Sequence, residues 1–190
     1  LARSGITNII LSIGYKAEAI QQFFRDGSSL GVSIRYSLET EPLGTGGAVK
    51  QSAMGLKTPF FLIWGDNLMD ADYIGMYQTH LQHPTLITMA LTPREDVENF
   101  GVARIENGRI ISFVEKPRRE NAPSNLINAG AFIIDPKIIA LLPEGVSSIE
   151  RDCFENVAPL GQIMPYIHNG QWFPTDTLEK YRLACEQFQP

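Results

Sequence analysis

Ser37-Leu38-Glu39-Thr40-Glu41-Pro42-Leu43-Gly44-Thr45-Gly46-Gly47-Ala48 stands where a predicted strand hands over to a predicted helix. Pro42 fixes a turn, and three glycines within four residues strip side chains from the chain beyond it. Two readings stand for these glycines. Either they make a tight turn and nothing more, or they leave bare backbone N–H groups at a helix start, against which a flat or phosphorylated group can lie.

The flanking segments say what kind of fold the turn belongs to. Upstream, Ile6 to Ile13 is a nearly continuous apolar run, suited to a parallel strand buried on both faces. Lys16 to Arg25 reads as a helix with Ala17, Ile20, Phe23 and Phe24 at helical spacing, and Val32 to Leu38 alternates as a strand. Downstream, a short helix is expected from about Ala48 to Met54, then an apolar strand from Phe60 to Trp64 that ends on Gly65-Asp66-Asn67. A helix from Ala71 to Gln82 and a strand from Thr85 to Leu91 come next. This alternation predicts an α/β fold with a doubly wound, Rossmann-like sheet. In such sheets ligands sit outside the carboxyl ends of the strands, which singles out the turns around Gly44 and Asp66.

The second half is less regular. Gly101 to Ile105 and Arg109 to Val114 pair through Asn107-Gly108, a strong hairpin signal. Leu126 to Ile134 and Gln162 to His168 read as strands, and Ser147-Ser148-Ile149-Glu150 as a capping box opening a helix to about Asn156. Trp172 to Thr177 reads as a loop and Leu178 to Phe188 as a last helix.

At 190 residues, 44% hydrophobic and 19% charged, the chain suits one globular domain over residues 1–190. A net charge of −5 argues against nucleic-acid or acidic-membrane partners. Cys153 and Cys185 lie far apart without metal-ligand spacing, so a disulfide framework is not expected and a reducing cytoplasm is the default. No apolar run reaches the ~20 residues of a membrane span, and a cytoplasmic location is the expectation. Leu1 to Gly5 reads like the last turn of a helix stopped by Gly5, as though the chain starts inside a larger fold.

Several side chains could carry chemistry. A carboxylate straight after an apolar strand, as at Asp66, cannot face the core unpaired. It either holds Mg²⁺ in a cleft or caps the next turn. Glu115 and Lys116 face opposite ways at the end of a strand. Lys116 could neutralise a phosphate and Glu115 accept hydrogen bonds from hydroxyls, or both could be a solvated strand end stopped by Pro117. Asp176 is either a second metal carboxylate or an anion at a helix N-terminus. His80, His83 and His168 show no metal spacing and read as surface or loop residues.

Taken in order, the Glu39–Ala48 turn, Trp64-Gly65-Asp66-Asn67, Phe100-Gly101-Val102, Val114-Glu115-Lys116-Pro117, Asn128-Ala129-Gly130-Ala131-Phe132 and Ser148-Ile149-Glu150-Arg151-Asp152 are similar to the sugar-1-phosphate nucleotidyltransferases, or NDP-sugar pyrophosphorylases. The likeness runs from about Ile6 to Ala184. It implies a mixed sheet with a nucleotide-binding half to about residue 100 and a sugar-binding half from about 101. It implies attack by a sugar 1-phosphate oxygen on the α-phosphorus of an NTP, with release of pyrophosphate. By motif match, Glu39, Pro42, Gly44, Thr45 and Gly46 would take the nucleotide, and Asp66 would hold Mg²⁺. Asn67, Gly101, Glu115, Lys116 and Asn128 would take the sugar phosphate, with Asp66, Lys116 and Asp176 as the catalytic set. The Leu-Gly-Thr-Gly-Gly-Ala wording looks most like guanylyl enzymes acting on mannose- or heptose-1-phosphate. Members of the family are often homo-oligomers.

Two departures stand against the family pattern. Its first strand and Gly-rich triphosphate loop are absent from these residues, and an N-terminally incomplete domain is the expectation. Trp172-Phe173-Pro174-Thr175-Asp176-Thr177 also moves the family's metal aspartate from the position of Pro174 to Asp176. These departures keep open a second reading, a non-catalytic nucleotide-sugar sensor on the same fold. If the glycine turn presents bare backbone to a nucleobase, a Gly46→Val change should weaken nucleotide binding more than sugar-phosphate binding.

Overall fold

The apolar run after Gly5 becomes strand β1 (Asn8–Ile13) in the computed structural model, which describes residues 1–189. The chain divides into two compact units, each drawing on both halves of the sequence. The first comprises Leu1–Lys57 and Pro136–Cys153. In it β1 leads through helix α1 (Ala17–Phe24) to β2 (Ser33–Leu38), which pairs with β1 in parallel from Asn8↔Ser33 to Ile13↔Leu38. Helix α2 (Gly44–Ser52) packs on these strands and buries Gly46, Gly47 and Val49. It begins four residues before the expected Ala48, so the glycines form its first turn rather than a turn ahead of it.

The second unit comprises Thr58–Asp135 and the chain from Phe154 onward. Its elements are β3 (Phe60–Ile63), β4 (Asn67–Met69), α3 (Tyr73–Gln82), β5 (Ile87–Pro93), β6 (Gly101–Glu106), β7 (Arg109–Glu115), β8 (Leu126–Ile134), α4 (Glu155–Val157), β9 (Ile163–Ile167), β10 (Trp172–Pro174) and α5 (Leu178–Gln187). Six of the strands form a mixed sheet in the order β3-β8-β5-β9-β7-β6. The alternation suggests one doubly wound sheet, but among the described residues β1 and β2 pair only with each other. Strand β8 stands between β3 and β5, antiparallel to both. The reason is its sequence. All residues from Ile127 to Ile134 are buried, so β8 must have neighbours on both edges and cover on both faces.

Strand β8 also carries a bulge. Its register with β5 shifts between Met89 and Leu91, which pair with Phe132 and Asn128, and Gly130 in this stretch has φ +79°. Bulges commonly re-aim side chains near functional sites. The core of the unit is built on Phe132, whose ring lies 5.4 Å from that of Trp64 and 5.0 Å from that of Phe154.

Three further expectations change. The Trp172–Thr177 loop contains β10, which pairs antiparallel with β4 (Trp172↔Met69, Pro174↔Asn67). Pro174 is tolerated there because this short ribbon has no further strand to bond among the described residues. The capping box is displaced by one residue: Ser148 Oγ accepts from Arg151 N at 3.3 Å, and Asp152 Oδ2 accepts from Ser148 N at 2.8 Å. A π-helical turn, Glu150–Phe154, then leads into α4. His80 is a buried residue of α3, and His168 lies in a loop as expected but is buried too. His80 Nδ1 lies 2.9 Å from Thr88 Oγ1, and burial lowers its pKa. His168 Nε2 lies 3.1 Å from Gln171 O and 3.3 Å from Asp70 Oδ1.

Asp72 caps α3, accepting from Gly75 N at 2.8 Å, and also accepts from Tyr166 Oη at 3.2 Å. Asp72→Ala is expected to cost about 1–2 kcal/mol, read as a lower urea midpoint with an unchanged m-value. Burial pushes the Cys153 thiol up to about 12. Among the described residues no helix is long and apolar enough to cross a membrane.

Candidate active site

In the second unit the strand ends gather several of the expected residues. The β6–β7 register sets Gly101 opposite Glu115. A Cβ built on Gly101 would lie 2.8 Å from Asn128 Nδ2 and 2.8 Å from Glu115 Oε2, and would collide with the Phe113 ring. Gly101 therefore leaves the room into which a carboxylate and an amide from separate strands both project. Phe113, Asn128 and Glu115 of this chain line the space beside it. Glu115 N donates to Glu155 Oε1 at 2.8 Å, which ties the end of β7 to α4. Asn128 Oδ1 accepts from Gly130 N at 3.2 Å, so the bulge orients the amide. Asn67 Nδ2 packs against Gly130, which extends the constellation to β4.

Lys116 comes next with φ 49°, and its N–H is bonded to Phe100 O at 3.0 Å. A non-glycine residue in this conformation costs about 1–2 kcal/mol, and such strain concentrates at functional positions. The lysine side chain is 61% exposed while the Glu115 side chain is 14% exposed, with Nζ and Oε1 4.0 Å apart. The ammonium is thus presented to solvent beside a largely covered carboxylate.

Asp66 and Asp176 are joined through the β4–β10 ribbon. Asp66 O accepts from both Thr175 N (2.7 Å) and Thr175 Oγ1 (2.9 Å), so the residue before Asp176 is clamped to Asp66. Both aspartates are exposed. Lys180 Nζ lies 2.9 and 3.1 Å from the two Asp176 oxygens. The Lys180 hydrogen bond, with the Lys116 charge as a smaller cause, holds the Asp176 carboxyl below its ordinary value. Asp66 is thus linked to Thr175, the residue before Asp176, and the Lys116 charge is felt at Asp176.

Among the described residues no three His, Cys, Asp or Glu side chains cluster as a metal cage. Mg²⁺ does not need one, because it keeps several waters and commonly uses one or two carboxylates with substrate phosphates. Asp66 and Asp176 fit that donor chemistry.

In the first unit, Glu39 is oriented by two donors: Ser12 Oγ to Oε1 and Leu43 N to Oε2, both at 3.1 Å. Pro42 and Thr45 are exposed, and Thr45 Oγ1 donates to Glu150 Oε2 at 2.6 Å. The glycines again face their own chain. A Cβ on Gly44 would lie 2.5 Å from Ser147 O, one on Gly46 would lie 2.6 Å from Ser147 Oγ, and one on Gly47 would collide with Gly145 O. Backbone bonds from Gly46 N to Ser147 O (2.8 Å) and from Ser147 N to Leu43 O (2.9 Å) close this packing.

Sequence reasoning did not find Ser12, Thr175, Lys180 or Glu155, each of which holds an expected site residue. Lys180 had a local signal, four residues after Asp176 on a helix. The other three act across turns or between distant segments and leave no pattern in the sequence.

The family model "NTP_transferase: Nucleotidyl transferase" matches residues 1–173, and the chain belongs to that nucleotidyl transferase family. It is 32% identical to the D-glycero-α-D-manno-heptose 1-phosphate guanylyltransferase of Aneurinibacillus thermoaerophilus, over 100% of this chain and 81% of that protein. It is 32% identical to the mannose-1-phosphate guanylyltransferase of Mycobacterium tuberculosis, over 95% of this chain and 51% of that one. The chain spans about half the length of the mannose-1-phosphate relatives it matches. Among solved structures, HddC from Yersinia pseudotuberculosis superposes with a TM-score of 0.82 at 27% identity, covering 99% of this chain and 81% of that one. A second structure of HddC is complexed with GMP-PN.

Proposed function

We propose that this chain carries Mg²⁺-dependent transfer of a nucleoside monophosphate from an NTP to a sugar 1-phosphate, with GTP and a mannose- or heptose-1-phosphate as the preferred pair. The observation that carries the reading is that Glu115 Oε2 and Asn128 Nδ2 both project to the space beside Gly101, with the exposed Lys116 directly following Glu115 and its charge adding to the Lys180 hydrogen bond that lowers the pKa of Asp176. A carboxylate and an amide suit sugar hydroxyls, and an ammonium suits the sugar phosphate. The guanylyltransferase relatives and the HddC complex support the choice of base.

In the reaction a sugar-phosphate oxygen bonds to the α-phosphorus while the bond from that phosphorus to the pyrophosphate oxygen breaks. Asp66 and Asp176 would hold Mg²⁺, which supplies charge neutralisation on the phosphate oxygens when bound. Lys116 holds the acceptor phosphate, and the Glu115–Asn128 pair orients the sugar. In the first unit, Glu39 would receive the nucleobase.

The test is pyrophosphate release by the full chain with Mg²⁺, across GTP, ATP, UTP, CTP and dTTP, each with mannose-, heptose- and glucose-1-phosphate. Turnover with GTP and mannose- or heptose-1-phosphate is the expected result. Lys116→Ala should then raise the KM for the sugar phosphate by at least about tenfold, the size of a lost charge-assisted hydrogen bond. Binding of both substrates without turnover would favour the sensor reading, for which Pro174 in the place of the family's aspartate is the support.

A further inference from the structure

Strands β1 and β2 are parallel, so their carboxyl ends lie at one edge of the first unit's sheet. The end of β2 delivers Glu39. The end of β1 delivers Gly14-Tyr15-Lys16, a segment outside the family-like motifs. The two ends are in direct contact. Glu39 N donates to Ile13 O at 2.8 Å, Ser12 Oγ donates to Glu39 Oε1 at 3.1 Å, and a Cβ on Gly14 would lie 3.6 Å from Glu39 Cβ.

Two features of this segment have no packing explanation. Tyr15 is 86% exposed, the most exposed large hydrophobic side chain of those described. Lys16 has φ 54° and ψ 32°, a left-handed conformation that glycine or asparagine adopts at lower cost. It stands at the N-cap of α1 without making a side-chain cap, and its Nζ lies 5.3 Å from the Tyr15 ring centroid. An aromatic face and an ammonium are therefore held out together on the two residues that follow Gly14, whose backbone abuts Glu39.

We propose that Tyr15 and Lys16 form, with Glu39, the base-selecting edge of the nucleotide site, and that this edge selects bases carrying a ring N–H beside a carbonyl. The inference rests on the nucleotidyl-transfer reading given above. Glu39 is an acceptor and Lys16 a donor. Guanine (N1–H, O6) and uracil or thymine (N3–H, O4) present the complementary donor and acceptor side by side. Adenine and cytosine present the reverse, a ring nitrogen acceptor beside an amino donor, which would set the ammonium against N–H groups. Tyr15 supplies a stacking face, which every base can use, and so contributes affinity without selectivity.

The experiment compares wild type, Lys16→Gly, Lys16→Arg and Tyr15→Ser in the full chain. It reads steady-state kcat and KM for GTP, UTP and ATP, calorimetric binding of GTP and ATP, and Tm. Lys16→Gly relieves the left-handed strain, so its Tm should hold or rise. Its GTP affinity should fall roughly tenfold with little change in ATP affinity or in the KM for sugar phosphate. Lys16→Arg should keep the selectivity. Tyr15→Ser should weaken GTP and ATP alike, by roughly tenfold. Equal GTP binding by wild type and Lys16→Gly would overturn the inference. Absence of turnover in wild type, with GTP binding still weakened by Lys16→Gly, would instead refute the transfer reading and leave the base-selecting edge standing.

Discussion

Asp66→Asn in the full chain is expected to lower kcat for nucleotidyl transfer by about 10²–10³-fold, the range seen when a principal charge-stabilising group is removed. The fold should tolerate the change. Asp66 is exposed, and it is its main-chain oxygen, not its carboxylate, that holds Thr175 N and Oγ1. Asparagine keeps the size and removes the charge, so stability should stay within about 0.5 kcal/mol of wild type. Thr175→Val is the informative partner, because it removes the hydroxyl bond at 2.9 Å while leaving both aspartates in place. It should lower kcat by a smaller factor, about tenfold, through loosening of the ribbon that sets Asp176 near Asp66. A loss of kcat smaller than about threefold in Asp66→Asn, far short of the range for a charge-stabilising group, would remove this residue from the catalytic set.

Much of this arrangement is legible in the residues, but for uneven reasons. The strand ends at Asp66, Glu115 and Lys116 are readable because apolar runs stop abruptly there, and a charge cannot follow them into a core. The position of β8 between β3 and β5 in the six-stranded sheet is not readable. Its apolar run says that it is buried, yet nothing local says which strands it separates. The ribbon of β4 and β10 is missed because three residues on each side are too few for a period to show, and Pro174 argues against a strand. The burial of His80 and His168 is missed because their partners, Thr88 and the Gln171 carbonyl, lie outside the elements that carry them.

The glycines show the same limit most clearly, and they yield the second large prediction. Their spacing correctly marks a place where side chains are excluded, but the excluding groups, Ser147 to Ile149, lie far away in sequence. A Cβ on Gly46 would sit 2.6 Å from Ser147 Oγ and 3.1 Å from both Ile149 N and Ser147 C. The hydroxyl can give way only at some cost, because Ser147 Oγ is buried, although it has no hydrogen-bond partner to lose. The two main-chain atoms cannot, because Ile149 N is bonded to Thr45 Oγ1 (3.0 Å) and Ser147 O to Gly46 N (2.8 Å). Gly46→Val therefore forces α2 and the Ser147–Ile149 segment apart and is expected to cost about 3 kcal/mol, at the upper end for overpacking. The loss expected from a bare nucleotide-binding surface would fall on the nucleotide alone. The loss expected from this packing falls on the fold, so nucleotide and sugar-phosphate binding decline together in proportion to the unfolded fraction. Ser147→Ala separates the causes: by itself it should be nearly neutral, and combined with Gly46→Ala it should recover about 1 kcal/mol of the single-mutant cost, read as the coupling in a double-mutant cycle of urea midpoints. Zero coupling, with full stability and a selective loss of nucleotide affinity in Gly46→Ala, would return the glycine to the nucleobase.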